Sequence, residues 1–289
     1  MLRQEVIHSM RTSVISDEIS QDIGEVLEVC RLKGLRTIEL RAVDGRSILE
    51  HDDAYVRQLR SRLDAEGVQV CAIASPFLKC HLHGDGAPQG ATHFASPAAR
   101  DEQWQVLERS IEVAHMLGAP IVRAFSFWRL PDPASAREEI LEVLAEAVER
   151  TRPSGLKLGL ENEHACNIAT GEEASWYLER LPSPHLGLIW DPGNEAAAGS
   201  RPYPDGYRHI RDRVIHVHVK DLDSSGRWTV IGQGSIDYVG QLRALADDGY
   251  DGPLSIETHM RIPEGPREAT MRCIDGLREV ASRAGVNLE

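Results

Sequence analysis

The sequence predicts an α/β fold of eight strand–helix units, which we interpret as one (β/α)₈ barrel domain spanning residues 1–289. Short apolar runs alternate with amphipathic stretches along the chain, a pattern typical of parallel strands joined by helices. Each unit averages about 36 residues, which suits a barrel of ~250 residues with insertions. The alternative, a doubly wound open sheet, favours a glycine-rich turn after the first strand, but residues 16–20 (SDEIS) contain no glycine.

The predicted strands are short runs dominated by aliphatic side chains, with no linker or low-complexity segment between them. In chain order they are Thr12–Ser16, Arg36–Leu40, Val68–Ala74, Ile121–Phe125, Leu156–Leu160, Leu186–Trp190, Val214–Val219 and Pro253–Ile256.

Helices are predicted between the strands. The stretch Gln21–Lys33 places Val26, Leu27 and Cys30 on one face, and Arg100–Leu117 is amphipathic in the same way. Five glycines follow predicted helices at the position where a left-handed residue often ends a helix: Gly34, Gly67, Gly118, Gly155 and Gly249.

Two connections are long enough to suggest a function. The loop after the third strand, Ser75–Pro97, contains three prolines and three histidines, and we expect it to cover the barrel mouth as a lid. Its histidines, His81, His83 and His93, could form a metal cluster, although loop histidines are more often solvated. Asp221–Gly234 follows the seventh strand, so both loops rise from the face where barrel active sites lie.

Composition excludes several functional classes. The formal net charge is −13 and no basic stripe is present, which argues against binding to nucleic acid. No apolar run approaches 18 residues, and residues 1–10 lack the apolar core of a secretory signal, so we expect neither membrane insertion nor export. Five scattered cysteines without a C-x-x-C pair favour the reducing cytoplasm.

Polar residues stand where the apolar strands end. Glu39 ends the second strand, while Glu161, Asp191, His218 and Glu257 mark the ends of the fifth to eighth, separated by 30, 27 and 39 residues. Neighbouring strand ends of a parallel barrel lie side by side, so these side chains should converge at one mouth. Three converging carboxylates repel each other and are costly to desolvate, and a divalent cation would relieve that cost.

Each residue also has a simpler interpretation. A carboxylate after a strand is often the N-cap of the next helix. Glu39 could pair with Arg41 or another base, and His216, which shares a strand face with His218, could simply fill the barrel. The segment Gly232–Ser235 precedes a helix where many barrels hold phosphate, although short glycine pairs are common.

Taken in order, several short segments resemble the sugar phosphate isomerase/epimerase family of xylose isomerase-like TIM barrels. They are LENE (160–163), DPGN (191–194), HVHVKD (216–221), GQG (232–234) and IET (256–258). The segments SDEISQD (16–22) and IELR (38–41) resemble one bacterial branch of that family. The resemblance covers nearly the whole chain, and its specificity lies in the order and spacing of the segments.

The resemblance implies one divalent metal ion held by Glu161, Asp191, His218 and Glu257. Three carboxylates and one imidazole suit Mn²⁺, Mg²⁺ or Co²⁺, and Zn²⁺ is also compatible. Contacts with the substrate are expected from five further residues: Asn194, Lys220, His216, Glu39 and Arg123.

The implied function is isomerisation or epimerisation of a sugar or related hydroxy-ketone through a metal-stabilised enediolate. Glu161 and Glu257 would flank the α-carbon as an acid–base pair. The partner is then a small molecule, with neither nucleic acid nor membrane involved, and the chain could form a homo-oligomer. Two alternatives stay open: a metal-dependent dehydratase of the dehydroshikimate or inosose type, and a non-catalytic sugar-binding barrel.

Endonuclease IV-type enzymes share this barrel but cleave DNA with three metal ions. They need additional histidines on the third and fourth strands, whereas these strands end here in Ala74-Ser75 and Arg123-Ala124. Asn194 also stands where that branch has a histidine. We therefore expect one metal ion and no DNA substrate.

Overall fold

A computed structural model describes residues 9–84 and 99–289 of the chain. In these two ranges, eight parallel strands alternate with eight helices, and the predicted (β/α)₈ barrel is confirmed. The strands are β1 Ser9–Val14, β2 Thr37–Leu40, β3 Gln69–Ile73, β4 Ile121–Ala124, β5 Lys157–Glu161, β6 Leu186–Trp190, β7 Val214–Val219 and β8 Pro253–Ile256.

Each strand pairs with its neighbours in chain order, and β1 pairs with β8. A parallel bridge between Ile15 and Glu39 links the ends of β1 and β2 and closes the ring. The short strand Asn287–Leu288 adds to the outer edge of β1 at Ser9 and Met10. Because all barrel strands run in one direction, their carboxyl ends meet at a single face.

The helices surround the barrel and bury aliphatic side chains against it. They are α1 Ile23–Lys33, α2 Asp53–Ala65, α3 Gln103–Leu117, α4 Arg137–Thr151, α5 Gly171–Arg180, α6 Pro192–Ala197, α7 Tyr238–Asp247 and α8 Pro266–Ala284. Gly34 and Gly118 end α1 and α3 with φ of 67° and 69°, as the left-handed cap requires.

The boundaries differ from the predicted ones at a few ends. The strands β6, β7 and β8 match the prediction, but β1 begins at Ser9 because the distant Asn287–Leu288 pairs with it. Helix α1 begins at Ile23 because the Asp22 side chain accepts a hydrogen bond from the Gly24 amide at 2.6 Å and caps the helix.

After β3, no helix occurs in the described residues before Arg100, which fits the predicted long loop. The predicted lid falls largely on residues 85–98, which lie outside the described residues. After β7, the second long connection forms an antiparallel hairpin between Asp221–Leu222 and Trp228–Thr229. In the described part of the chain, no helix is long and apolar enough to cross a membrane.

Close packing inside the barrel requires a glycine on β5. A Cβ built on Gly159 would lie 2.7 Å from two side-chain carbons of Ile189 on β6. Ile189 belongs to a small buried apolar cluster with Cys71 and Ile121. The absence of a side chain at Gly159 thus lets Ile189 fill the barrel below the polar strand ends.

We predict that Gly159→Ala lowers stability by about 1–3 kcal/mol, because an extra methyl group overpacks this interior. Equilibrium denaturation followed by circular dichroism measures the change. The control is Gln105→Ala on the exposed face of α3, expected to change stability by less than about 0.5 kcal/mol. Equal stability of the two variants would contradict this packing.

All five cysteines are free and buried, and burial raises the pKa of the Cys30, Cys71 and Cys80 thiols to about 12. We predict that the native protein reacts very slowly with a disulfide reagent, because the thiolate is the reactive form and is scarce here. All five thiols should react in denaturant. Rapid reaction of any thiol in the native state would contradict this burial.

Candidate metal centre

Four side chains from consecutive strands meet at the carboxyl end of the barrel. Glu161 ends β5, Asp191 follows β6, His218 lies near the end of β7 and Glu257 follows β8. Each offers one ligand atom, and these four atoms all lie within 4.8 Å of one another. We call these four residues the ligand cluster; all are buried.

His218 is held from below by Glu39. The His218 Nε2 atom lies 3.0 Å and 3.2 Å from the two Glu39 carboxylate oxygens, and its Nδ1 atom lies 3.1 Å from Glu161 Oε1. The two contacts with Glu39 favour a proton on Nε2, which leaves Nδ1 to face the ligand cluster. A carboxylate behind a histidine in this way fixes the tautomer and ring orientation of a metal ligand.

Glu39 also binds His216, whose Nε2 lies 2.8 Å from a Glu39 oxygen. Burial works against the charge of Glu39, but the imidazoles of His218 and His216 lower its pKa well below the usual range. The β2–β3 register shifts between Ile38 and Glu39, and such an irregularity can redirect a side chain. Glu39 therefore pairs with two basic side chains, His216 and His218, as the simpler interpretation allows.

Glu161 is held in place from two sides. Arg123 Nη1 lies 3.1 Å from its Oε2 atom, and Asn194 Nδ2 donates to its Oε1 atom at 3.2 Å. Burial raises the pKa of this carboxyl, but the His218 imidazole and the Arg123 guanidinium lower it, and the net shift is downward. Two of the predicted substrate contacts, Arg123 and Asn194, therefore touch Glu161 directly.

Asp191 has two roles at once. Its Oδ1 atom accepts a hydrogen bond from the Asn194 amide at 2.8 Å and caps α6, as the simpler interpretation expects. Its Oδ2 atom makes no hydrogen bond of normal geometry and faces the Lys220 ammonium at 2.8 Å. The N-cap role thus leaves one carboxylate oxygen for the ligand cluster.

Glu257 forms salt bridges with two basic side chains. Lys220 Nζ lies 2.6 Å from its Oε2 atom, and Arg41 Nη1 lies 2.7 Å from its Oε1 atom. Arg41 also binds Asp17 at 3.0 Å and Glu18 at 2.7 Å, which ties the segment after β1 to the end of β8. Burial opposes the charge of Lys220, but Asp191 and Glu257 outweigh that effect and raise its pKa.

A cavity of about 760 Å³ opens above the ligand cluster. Its lining includes Glu257 and three of the predicted substrate contacts, Asn194, Lys220 and Arg123. The other two, Glu39 and His216, are fully buried beside His218 rather than on the cavity wall.

Sequence analysis missed several residues of the cavity wall: Arg41, Lys79, Glu163, His164, Trp228 and His259. Glu163 ends the LENE segment and His164 directly follows it, so their position in the sequence was the signal that could have found them. Lys79 lies in the long loop after β3, and no sequence pattern indicates its salt bridge to Glu163 at 3.0 Å.

The glycine pair at 232–234 does not bind phosphate through its amides, so that possibility is wrong. The Gly232 and Gly234 amides donate to Asp221 Oδ2 at 2.8 Å and 3.0 Å. The two remaining amides of the segment, Gln233 and Ser235, donate to backbone carbonyls. This turn therefore already encloses a carboxylate of its own chain.

The loop histidines lie away from the ligand cluster as far as the structure describes them. His83 is exposed and lies 3.0 Å from Glu139 on α4, and His81 belongs to none of the candidate metal-binding groups found in residues 9–84 and 99–289. His93 lies outside the described residues.

The family model described as "Xylose isomerase-like TIM barrel" matches residues 27–280. The chain belongs to this family. It is 28% identical to a ketose 3-epimerase of Arthrobacter globiformis over 170 residues, which are 56% of this chain and 57% of the relative. It is 25% identical to an inosose dehydratase of Lacticaseibacillus casei over 138 residues, 40% of this chain and 46% of the relative. The chain thus spans about half the length of these curated relatives.

Among solved structures, this family member resembles the IOLI protein, whose structure contains a zinc atom. The TM-score is 0.75 at 18% identity, over 95% of this chain and 99% of that chain. At this identity the likeness establishes the fold alone.

The ligand cluster is chemically suited to a divalent cation, because it combines three carboxylates with an imidazole nitrogen in a buried site. The described residues contain two other groups whose potential ligand atoms lie within 4.8 Å of one another. They are Glu39–Cys71–His216 and Glu18–Glu257–His259. Each of these groups offers three potential ligand atoms, whereas the ligand cluster offers four. The ligand cluster is therefore the stronger candidate.

We predict that Glu39→Gln weakens binding of Zn²⁺ or Mn²⁺ by about 10–100-fold, because the amide loses the charge that orients His218. Competition with a chromophoric chelator measures the dissociation constant, and circular dichroism checks the fold. The control is Glu50→Gln at an exposed position, expected to bind metal like the wild type. Unchanged affinity in folded Glu39→Gln protein would show that Glu39 does not support the metal.

Proposed function

We propose that this protein is a divalent-metal-dependent isomerase or epimerase of a sugar or related hydroxy-ketone. The observation that carries the proposal is the ligand cluster, with four potential ligand atoms within 4.8 Å beneath a large polar cavity. A ketose 3-epimerase among the relatives supports the substrate class. The substrate is a small molecule, because the net charge of −13 disfavours nucleic acid.

Glu161, Asp191, His218 and Glu257 would hold one Mn²⁺, Mg²⁺ or Co²⁺ ion, with Zn²⁺ also compatible. When bound, the cation supplies Lewis-acid polarisation to the carbonyl oxygen of the substrate. The zinc atom in the IOLI structure supports a metal in this fold. Elemental analysis should find about one equivalent per chain, and alanine at Asp191 or His218 should remove it.

Glu161 and Glu257 are the proposed acid–base pair. Removal of the proton from the α-carbon by one carboxylate gives the enediolate, and the other carboxyl returns a proton to carbon. Glu161 is oriented by Arg123 and Asn194, whereas Glu257 is oriented by Arg41 and Lys220. Different partners on the two sides allow the two carboxyls to act at different faces of the same carbon.

Arg123, Asn194 and Lys220 are proposed to contact substrate oxygens, because all three line the cavity beside the ligand cluster. We propose positioning roles for Glu39 and His216, since their hydrogen bonds converge beneath His218. We also propose that the protein is located in the cytoplasm and forms a homo-oligomer.

A second candidate function is removal of water from a cyclic polyhydroxy ketone. The inosose dehydratase among the relatives supports it. Both reactions begin with loss of the α-proton, so the same ligand cluster serves either one. The two reactions differ in their products: an epimerase keeps the molecular formula of its substrate, whereas a dehydratase removes one water.

We predict that Glu161→Gln and Glu257→Gln each lower turnover by ~10²–10⁴-fold, because each removes one proton-transfer group and keeps its shape. Incubation of a ketohexose or an inosose in D₂O, followed by mass spectrometry, measures deuterium at the α-carbon. The control is Glu25→Gln on the exposed face of α1, expected to match the wild type. Full exchange in both cluster variants would place the chemistry elsewhere and exclude this mechanism.

A further inference from the structure

A second row of polar side chains lies along the cavity wall beside the ligand cluster. Lys79 Nζ lies 3.0 Å from Glu163 Oε2, and Glu163 Oε1 lies 2.8 Å from His164 Nδ1. His164 Nδ1 in turn lies 3.3 Å from Asn194 Oδ1, and Asn194 Nδ2 donates to Glu161. His164 is therefore connected to the ligand cluster through the Asn194 amide, and in the described residues it makes no hydrogen bond to any of the four cluster residues.

These contacts determine the orientation of the His164 ring. Glu163 Oε1 and Asn194 Oδ1 are both acceptors, since the Asn194 amide nitrogen is used by Glu161 and by the Asn162 carbonyl. Nδ1 must therefore carry a proton. The other ring nitrogen, Nε2, makes no hydrogen bond to any residue in 9–84 or 99–289, and His164 lines the cavity with a side chain that is 41% exposed.

Glu163 is held as an anion behind this ring. Its Oε2 atom forms a salt bridge with Lys79 at 3.0 Å, and its Oε1 atom accepts the hydrogen bond from His164 Nδ1 at 2.8 Å. Lys79 is itself buried and lies 4.4 Å above the ring of Phe125. In proteins, a carboxylate that accepts a hydrogen bond from Nδ1 orients a histidine, and the other ring nitrogen, Nε2, then transfers the proton.

The groups around His164 shift the pKa of its imidazole in opposite directions. The Glu163 hydrogen bond raises its pKa most and outweighs burial, which lowers it, while the Lys220 ammonium also lowers it. Asn194 adds a neutral hydrogen bond. The net shift is upward, so the imidazole carries a proton over a wider pH range than a free histidine.

We propose that His164 is a further catalytic residue, which donates a proton from Nε2 to the hydroxyl group on the β-carbon of the substrate. This inference rests on the proposed function, because it needs the enediolate formed by loss of the α-proton. The enediolate electrons then form the double bond between the α- and β-carbons, and the β-carbon–oxygen bond breaks. The departing oxygen takes the His164 proton and leaves as water, without any oxidant or reductant.

A proton donor at His164 is needed for only one of the two candidate reactions. Isomerisation or epimerisation moves protons at the carbonyl and the α-carbon, where Glu161 and Glu257 are proposed to act. Elimination needs a third proton donor, because hydroxide is a poor leaving group. Lys220 is less suited to that role, since its ammonium is bound between Asp191 and Glu257 at 2.8 Å and 2.6 Å.

The test compares wild type, His164→Gln and His164→Ala, each loaded with Mn²⁺, on an inosose in D₂O. Mass spectrometry records two quantities separately: deuterium in the recovered ketone and loss of one water. Wild type should show both. Both variants should lose dehydration by at least ~10²-fold, as expected for a missing general acid, whereas deuterium exchange should fall by less than about tenfold. The control is His115→Gln at an exposed position on α3, expected to match wild type.

The outcomes distinguish this inference from the function on which it rests. Deuterium exchange without water loss in wild type overturns the role of His164 and leaves the isomerase or epimerase proposal standing. Dehydration that persists in folded His164→Gln protein, or exchange that falls as much as dehydration, also overturns this role. Neither exchange nor water loss in metal-loaded wild type, on the inosose or on a ketohexose, overturns the proposed function and this inference together.

Discussion

Mutual repulsion among the buried carboxylates at one end of the barrel is the constraint on which the rest of the site depends. They include Asp17, Glu18, Glu39, Glu161, Glu163, Asp191 and Glu257. Four permanently charged bases lie among them: Arg41, Lys79, Arg123 and Lys220. A buried charge without a partner is strongly destabilising, so nearly every contact in the cavity wall follows from this balance. A divalent cation would offset part of the remaining negative charge.

Glu39 links the barrel interior to the ligand cluster. It is fully buried, and it meets His216 and His218 at distances of 2.8 Å to 3.2 Å. The same residue forms the bridge with Ile15 that closes the barrel. Ring closure and orientation of the potential metal ligand therefore depend on one side chain and its backbone. This is a structural reason to place a carboxylate at the end of β2.

The strand ends and the loops contribute different residues to the candidate site. The strand ends hold the ligand cluster, whereas His164, Lys79 and Trp228 lie in the connections that follow the strands. Under the proposed function, the metal would be held by the strand ends, and the proton donor to the leaving oxygen would come from the loop after β5.

Much of the fold could be predicted from local pattern. Alternating apolar runs and the helix-ending glycines Gly34 and Gly118 depend on backbone preferences within a few residues, so the sequence displays them directly. Polar residues at strand ends, such as Glu161 and Asp191, could be located for the same reason. The start of β1 could not, since it depends on pairing with residues 287–288 near the other end of the chain.

The barrel, the face that carries the site and the residues at the strand ends could be predicted from the amino-acid sequence, because they follow from local periodicity and the direction of parallel strands. The partners of these residues depend on the folded chain. Arg41 binds Glu257, which is 216 residues away, and Glu39 binds His218 rather than Arg41. Pairing at such separations depends on side-chain orientation and burial in the closed barrel, which no local pattern records.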